Sequence, residues 1–358
     1  MRFIFKTSYA QDLALAKHQG HRFWYGALIA LLLAAPFGLE EYWLAQLSFV
    51  LIYSIVGLGL MLLAGFTGQV SIGQAAFMGV GAYAQVYFTN LGLSFPVALV
   101  IGMVLSAFAG LIVSVPALKV KGIYLGIATL AFGFIVEEGF ARWESVTGGN
   151  AGIPVNPAEM FGYVFDGETS FYYLCLVLCV LATLGVLNLL RAPTGRAFVA
   201  IRDSEISAQS MGINLAWYKG LAFAISAVLA GVAGALYAHK MAFISPDQFS
   251  LIQSVDLLLL VVVGGLGFVH GAFLGAIFLI TMPQLIALGK DFLPESIGGA
   301  AGLQGLIYGV VLVFFVLFEP MGLYGRWLKI RTWFQMFPFY RKGMFKRQKS
   351  FTKSDRLK

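Results

Sequence analysis

The sequence predicts an all-α protein that crosses a membrane about ten times, because its apolar runs repeatedly reach the roughly 20 residues that a spanning helix needs. Hydrophobic residues make up 59% of the 358 residues and charged residues only 11%. Soluble domains average about 45–50% and about 25% for these two classes. Almost none of the chain remains for a separate soluble domain.

The apolar runs predict the spans in chain order. Six spans precede the longest polar interior segment and the others follow it: residues 23–39, 44–65, 69–89, 95–117, 123–143 and 171–190, then 217–239, 251–288 and 301–318. The run 251–288 is too long for one span and barely long enough for two. Glycines interrupt its middle, so we expect it to cross twice and to turn near residues 267–271.

Basic residues predict the orientation, because positive charge near spans is retained in the cytoplasm. Of the 24 Lys and Arg, eleven lie from Arg326 onward and four within residues 1–22. Two cytoplasmic ends require an even number of spans, which ten satisfies. The net charge of +7 therefore reflects ends that lie near lipid, and we expect no nucleic-acid partner.

The remaining charges agree with this arrangement. Loop 144–170 carries four acids and no Lys or Arg, which is typical of an external loop. Ten spans leave three basic residues outside: Arg142, Lys240 and Lys290. The predicted organisation is a cytoplasmic segment at 1–22, a membrane domain at 23–319 that contains a cytoplasmic loop at 191–216, and a basic cytoplasmic tail at 320–358.

The polar loop 191–216 is expected to contain a short helix. Asp203 or Ser204 can cap a helix start, and Gly212 can adopt the left-handed geometry that ends one. These signals predict about two turns of helix between residues 205 and 211. A helix this short is marginal by itself in water, so we expect docking on a partner to order it. The alternative is an ordinary cytoplasmic loop.

Four stretches, in order along the chain, carry a family resemblance. Glu205, Ala208 and Gly212 stand at the spacing of the "EAA" loop in membrane subunits of ATP-binding-cassette importers. TGRAFVAIRDSEISAQSMGIN (194–214) resembles the cytoplasmic loop of branched-chain amino acid permeases, although Ser207 replaces the usual first alanine. Three more stretches resemble the same family: TGQVSIGQAAFMGVGAY (67–83), VKGIYLGIATLAFGFIVEE (120–138) and TGGNAGIP (147–154).

The resemblance implies the permease type of fold and a permease subunit of an ATP-driven importer for branched-chain amino acids. It implies that the short helix lies in a groove of an ATPase subunit, and it assigns these residues to the coupling loop: Gly195, Arg196, Arg202, Asp203, Glu205, Ala208 and Gly212. Phe134 departs from the family, where a polar or acidic residue often follows the FG pair, and this departure bears on the substrate.

The implied partners are a homologous permease subunit, two ABC ATPase subunits, a soluble solute-binding protein and membrane lipid. The sequence has no G-x-x-x-x-G-K-[ST] motif, so ATP is expected on a partner and no enzymatic activity on this chain. The expected location is the cytoplasmic (inner) membrane of a bacterium. Two cysteines, Cys175 and Cys179, are expected to pack as small hydrophobes, and no metal site is predicted.

Polar residues inside predicted spans are candidates for the translocation path. A carboxylate at mid-bilayer costs about 2.5–3.5 kcal/mol on insertion scales, so Glu137 and Glu138 are functional candidates. They also lie near Arg142, where they could simply reach the interface. A second group of candidates lies among small residues at the inner end of a span: Gln69, Ser71 and Gln74. Three roles are open for them: lining a path, forming hydrogen bonds with backbone groups that a broken helix leaves free, or joining two helices.

Two other functions compete with the importer subunit. A secondary transporter would use Glu137 or Glu138 as a proton site and would need no ATPase. A membrane scaffold that transports nothing is the third hypothesis, and the polar stretch 65–84 argues against it.

Overall fold

A computed structural model of the chain describes residues 19–120, 122–160, 162–290, 303–318 and 321–336. Helices dominate these residues, so the prediction of an all-α protein is confirmed. Most of the predicted N-terminal cytoplasmic segment and most of the basic tail lie outside the described residues.

The described residues form fourteen α-helices. They are α1 (Gln19–Gly38), α2 (Glu41–Leu60), α3 (Gln74–Asn90), α4 (Phe95–Lys119), α5 (Ile123–Arg142), α6 (Glu144–Thr147), α7 (Glu168–Arg191), α8 (Pro193–Asp203), α9 (Glu205–Ser210), α10 (Leu215–Met241), α11 (Leu251–Gly264), α12 (Val269–Lys290), α13 (Leu303–Phe318) and α14 (Gly322–Met336).

Short strands form two antiparallel pairs among the described residues. In the first, β1 (Ile153–Pro154) pairs with β4 (Phe243–Ile244), and in the second β2 (Ala158–Met160) pairs with β3 (Tyr163–Phe165). The β1–β4 pair joins the connection between α5 and α7 to the connection between α10 and α11. We call this end of the bundle the opposite face, and the end that carries α8 and α9 the loop face.

Seven helices of the described chain are long and apolar enough to cross a membrane: α2 with its π-helical end, α4, α5, α7, α10, α11 with the turn before it, and α12. Three further helices, α1, α3 and α13, occupy the other predicted spans. The helices α3 and α13 have 17 and 16 residues. The chain is therefore a multi-pass helical membrane protein whose helices follow the predicted order.

Two predicted boundaries were wrong. The third span begins at Gln74 and not at Gln69, because α2 ends in a π-helical turn, Met61–Phe66, and residues 67–73 connect it to α3 without a helix. The run 251–288 forms two helices, as expected, but the turn between them lies at residues 265–268. Gly265 and Gly267 have φ angles of +117° and +84°, which side chains rarely adopt, and this places the turn earlier than predicted.

Glycine allows the central helices to approach closely. A methyl group added at Gly234 of α10 would lie 1.9 Å from the carbonyl oxygen of Met78 in α3. One added at Gly81 of α3 would lie 2.3 Å from the Cα of Gly231. Lipid supplies no hydrophobic drive between helices, so such close backbone contact is a main source of their association. The core is thus built on α10 packed against α2, α3 and α4.

Gly234→Ala should destabilise the protein strongly, because its methyl group meets backbone that cannot move without displacing α3. Overpacking of this kind costs about 1–3 kcal/mol. Gly185→Ala in α7 is the control, since an added methyl there meets nothing within 4 Å. The thermal midpoint of the detergent-purified chain, followed by fluorescence size-exclusion chromatography, should fall for Gly234→Ala and stay at the parental value for the control. Equal midpoints would contradict the close packing.

Candidate functional site

The polar loop folds into two short helices on the loop face, α8 and α9, the second of which is the predicted short helix. In α8 the apolar residues Ala197, Phe198 and Ile201 are buried, and Phe198 meets the ring of Tyr218 edge-on at 6.3 Å. This apolar side attaches α8 to the bundle, because three buried side chains on one side of a helix are removed from water together.

Both predicted ends of the second helix are confirmed. Ser204 caps α9 by accepting a hydrogen bond from the backbone N–H of Ser207 at 3.3 Å. Gly212 has a φ of +85°, and the backbone N–H of Ile213 reaches back to the carbonyl of Ala208 at 3.1 Å. This is the Schellman arrangement, which satisfies helix carbonyls that have no partner within the helix.

A buried ion pair fixes α9 to the membrane helices. The Nζ of Lys219, in the first turns of α10, lies 2.7 Å from the Oε1 of Glu205, and their side chains are only 3% and 20% exposed. The same Nζ donates a hydrogen bond to the carbonyl of Ala117 near the end of α4 at 3.2 Å. A cation near a helix C-terminus is favourable. Glu205 therefore braces the loop internally and its contact with Lys219 is not on the outer surface.

The outer surface of the loop carries apolar side chains. Ile206 and Met211 are 80% and 82% exposed, whereas Ala208 on the inner side is 2% exposed. We call Ile206 and Met211 the apolar ridge. Exposed apolar residues of this size on a short, internally braced helix are typical of anchors that enter a groove.

The other predicted loop residues have distinct positions. Gly195 lies against the end of α7, where an added methyl would be 2.3 Å from the carbonyl oxygen of Leu190. Arg196 and Asp203 are exposed. Arg202 donates from Nε and Nη2 to Asp203 Oδ1 at 3.2 and 3.1 Å, and from Nη1 to the carbonyl of Gly65 at 3.2 Å. Their functional roles remain predictions.

The three predicted polar residues of the α2–α3 connection lie inside the protein: Gln69, Ser71 and Gln74 are at most 3% exposed. Gln74 donates to the hydroxyl of Ser226 in α10 at 3.1 Å. Neither amide atom of Gln69 has a hydrogen-bond partner among the described residues.

Side chains of two other helices bind the backbone of this connection. The N–H of Ile72 donates to Thr129 Oγ1 at 2.9 Å, and the N–H of Ala75 donates to Ser254 Oγ at 3.1 Å. These hydroxyls replace the helical partners that the first residues of α3 lack. Satisfying broken backbone, one of the roles considered above, is thus performed here by Thr129 and Ser254.

Glu137 and Glu138 lie on the opposite face, away from Gln69, Ser71 and Gln74. They border a cavity of about 560 Å³ that is also lined by Phe134, Arg142, Glu144, Asn150 and Asp247. Glu138 forms an exposed ion pair with Arg142, one helical turn along α5. The five predicted path residues therefore do not form one cluster. No group of three His, Cys, Asp or Glu residues in the described ranges could hold a metal ion.

Sequence reasoning missed two features. Lys219 was not among the predicted site residues, although it is buried and paired with Glu205. Asp256, a half-buried carboxylate in α11, lies within electrostatic reach of Tyr53 in α2 and Tyr308 in α13. A lone acid within the apolar run LIQSVDLLLLVVVG was the available signal for Asp256. No local pattern could have paired Lys219 with Glu205.

The spans define a class, the multi-pass helical membrane proteins. The chain belongs to the family described as "Branched-chain amino acid transport system / permease component", whose model matches residues 42–316. It is therefore a membrane-embedded transport protein related to amino acid permeases.

Individual relatives agree with the family. The chain is 33% identical over 322 residues to the high-affinity branched-chain amino acid transport system permease protein LivM of Escherichia coli K12, covering 83% of this chain and 73% of that protein. It is 29% identical over 252 residues to the autoinducer 2 import system permease protein LsrC of Enterobacter sp. 638, covering 67% and 69%. The solved structure of PsaBC from Streptococcus pneumoniae in complex with Fab matches with a TM-score of 0.42 and 16% identity, covering 85% of this chain and 99% of that one.

Replacing Glu205 should destabilise the protein more than replacing Lys219. Glu205→Ala leaves a buried ammonium without its counter-ion, a loss of about 3–5 kcal/mol for pairs of this kind. Lys219→Met leaves a carboxylate that is 20% exposed and can hydrate. The double variant should be more stable than Glu205→Ala alone. Thermal midpoints of the three purified variants test this order, and a double variant less stable than Glu205→Ala would contradict it.

Proposed function

We propose that the chain is a permease subunit of an ATP-driven importer that carries branched-chain amino acids, and that residues 191–216 couple it to an ATPase. The proposal rests on the braced loop. Its two short helices are fixed to the bundle by the Lys219–Glu205 pair, and they present the apolar ridge of Ile206 and Met211 outward.

The arrangement suits a coupling element for a physical reason. A helix of six residues cannot hold its shape alone in water, so the buried ion pair and the cap at Ser204 supply its order before a partner binds. Preorganisation lowers the entropic cost of docking. A rigid loop also transmits displacement, because α8 continues from α7 and α9 leads into α10 through only a few residues.

The proposed assembly contains a homologous permease subunit, two ABC ATPase subunits, a soluble solute-binding protein and surrounding lipid. ATP binds to the ATPases, and this chain contributes no enzymatic activity of its own. The assembly lies in the inner membrane of a bacterium with both ends of this chain in the cytoplasm. ATP binding favours one of two states of the pore by its differential affinity for them.

Changing the apolar ridge should detach the ATPase and spare the fold. The transporter is purified from native membranes through a tag on this chain and is reconstituted with its solute-binding protein. ATP hydrolysis and uptake of labelled leucine, isoleucine and valine are then measured. Ile206→Asp with Met211→Asp should remove ATP hydrolysis from the purified material, because two apolar side chains that docking would bury become charged. The free energy of unfolding of the chain should change by no more than about 0.5 kcal/mol, as it does for ordinary surface substitutions.

Gln209→Asp is the control, since it adds one negative charge, half of what the double variant adds, at an exposed position of the same helix. It should retain the ATPase. If the ridge variant still carries full ATP hydrolysis and transports like the parent, the loop does not dock an ATPase.

The proton-coupled alternative makes the opposite demand on the acidic residues. Glu138 pairs with Arg142 at the exposed surface, and exposed pairs contribute only about 0–1 kcal/mol. We therefore expect the double variant Glu137→Gln/Glu138→Gln, and separately Asp256→Asn, to keep substantial ATP-driven uptake that a protonophore does not abolish at constant ATP. Lost uptake in a variant that assembles and hydrolyses ATP normally would favour proton coupling.

A further inference from the structure

Three breaks in the helical chain meet at one point beneath the loop. The first is the π-helical end of α2, the second is the turn at residues 265–268 between α11 and α12, and the third is the end of α8. A methyl added at Gly65 would lie 2.6 Å from the backbone nitrogen of Gly267, so these two backbones are in direct contact. The N–H of Gly267 also points at the sulfur of Met61 at 3.2 Å.

Arg202 is the loop residue whose side chain reaches the point where the three breaks meet. Its Nη1 donates to the carbonyl of Gly65 at 3.2 Å. Methyl groups added at Gly68 and Gly267 would lie 3.0 Å from its Cγ and 3.6 Å from its Nη1. One side chain thus contacts the end of α2 and the connection to α3, and it lies close to the turn before α12.

The chemistry of this contact is specific to a long cationic donor. The last carbonyls of a helix have no partner within it and carry partial negative charge, so a cation there is doubly favourable. The guanidinium provides several donors in a fixed plane, which lets Arg202 bind Gly65 with one nitrogen and Asp203 with two others. The neighbouring Asp203 also restricts where the guanidinium can lie.

We propose that Arg202 is the positioning residue that passes movement of the coupling loop to the α2 end and the α11–α12 turn. This inference rests on the proposed function, because it assigns a route for the motion that ATPase docking drives. Movement of α8 carries Arg202 with it and displaces the carbonyl of Gly65 and the backbone of Gly267 together. The Lys219–Glu205 pair does not perform this role, since it fixes the loop to α4 and α10 instead.

The first test measures local order and needs no ATPase. Hydrogen–deuterium exchange of the full chain is compared for the parent, Arg202→Gln and Lys119→Gln, which removes an exposed charge from the loop face. Arg202→Gln should raise exchange by about tenfold in peptides that cover residues 61–73 and 262–270, because local opening becomes easier. Lys119→Gln should match the parent. Unchanged exchange in both regions of Arg202→Gln would overturn the proposal.

The second test measures coupling in the complete reconstituted transporter. Arg202→Gln should keep the ATPase bound and hydrolysing, while solute taken up per ATP falls about 5- to 150-fold, the usual range of coupling between sites. Arg202→Lys keeps the charge on a single donor nitrogen, so it should recover part of the ratio. A parental ratio in Arg202→Gln, or loss of the ATPase from both variants, would overturn the proposal.

Failure of the proposed function gives a different result. In that case the parent itself shows no ATP-driven uptake, while the exchange experiment still decides whether Arg202 orders the two breaks. If Arg202→Gln cannot be purified, Arg202→Lys decides both measurements, and a Lys variant equal to the parent in exchange and in coupling ratio would reject the role of the guanidinium.

Discussion

A helix that breaks inside a membrane must find partners for its freed backbone groups within the protein, because hydrocarbon offers none. This constraint organises the region between α2 and α3. The N–H groups of Ile72 and Ala75 are bound by hydroxyls from α5 and α11, and the carbonyl of Gly65 is bound by Arg202 from the loop. Three separate elements are therefore positioned by the needs of one irregular connection.

The constraint also explains why the loop is tied to the interior. A loop that only rested on the bundle could move without consequence for the spans. Here α8 supplies a donor to a carbonyl at the end of α2, and α9 supplies the counter-ion of a buried lysine. Both contacts are polar and directional, whereas the exposed apolar ridge leaves α9 free to bind outward. The internal and external sides of the loop thus use different chemistry.

Local signals predicted much of the fold. Apolar runs located the spans, because a run of about 20 apolar residues can be recognised from composition alone. The cap at Ser204 and the left-handed conformation of Gly212 followed from the residue types at those positions. The start of α3 was missed, since the hydrophobic pattern of residues 69–89 does not distinguish a π-helical end and an extended connection from a continuing helix. Hydrophobic periodicity alone does not locate short irregular segments inside a span.

The candidate site was predicted less well, and the reason is distance along the chain. The predicted loop residues lie close together because they belong to one segment. The predicted path residues separated, with Gln74 bound to Ser226 in α10 and Glu137 at a cavity on the opposite face. Contacts between residues as far apart as Gly65 and Arg202, or Gln74 and Ser226, depend on how the helices pack, and a single sequence does not record that packing.

The unequal exposure of Lys219 and Glu205 has a consequence for how the loop can change over evolutionary time. If the glutamate is lost first, a buried positive charge remains without its counter-ion. If the lysine is lost first, the remaining carboxylate is partly exposed to water. Lineages that abandon the pair are thus constrained to replace position 219 before position 205. The order of substitution, and not only the final residue pair, is imposed by which partner is nearer the solvent.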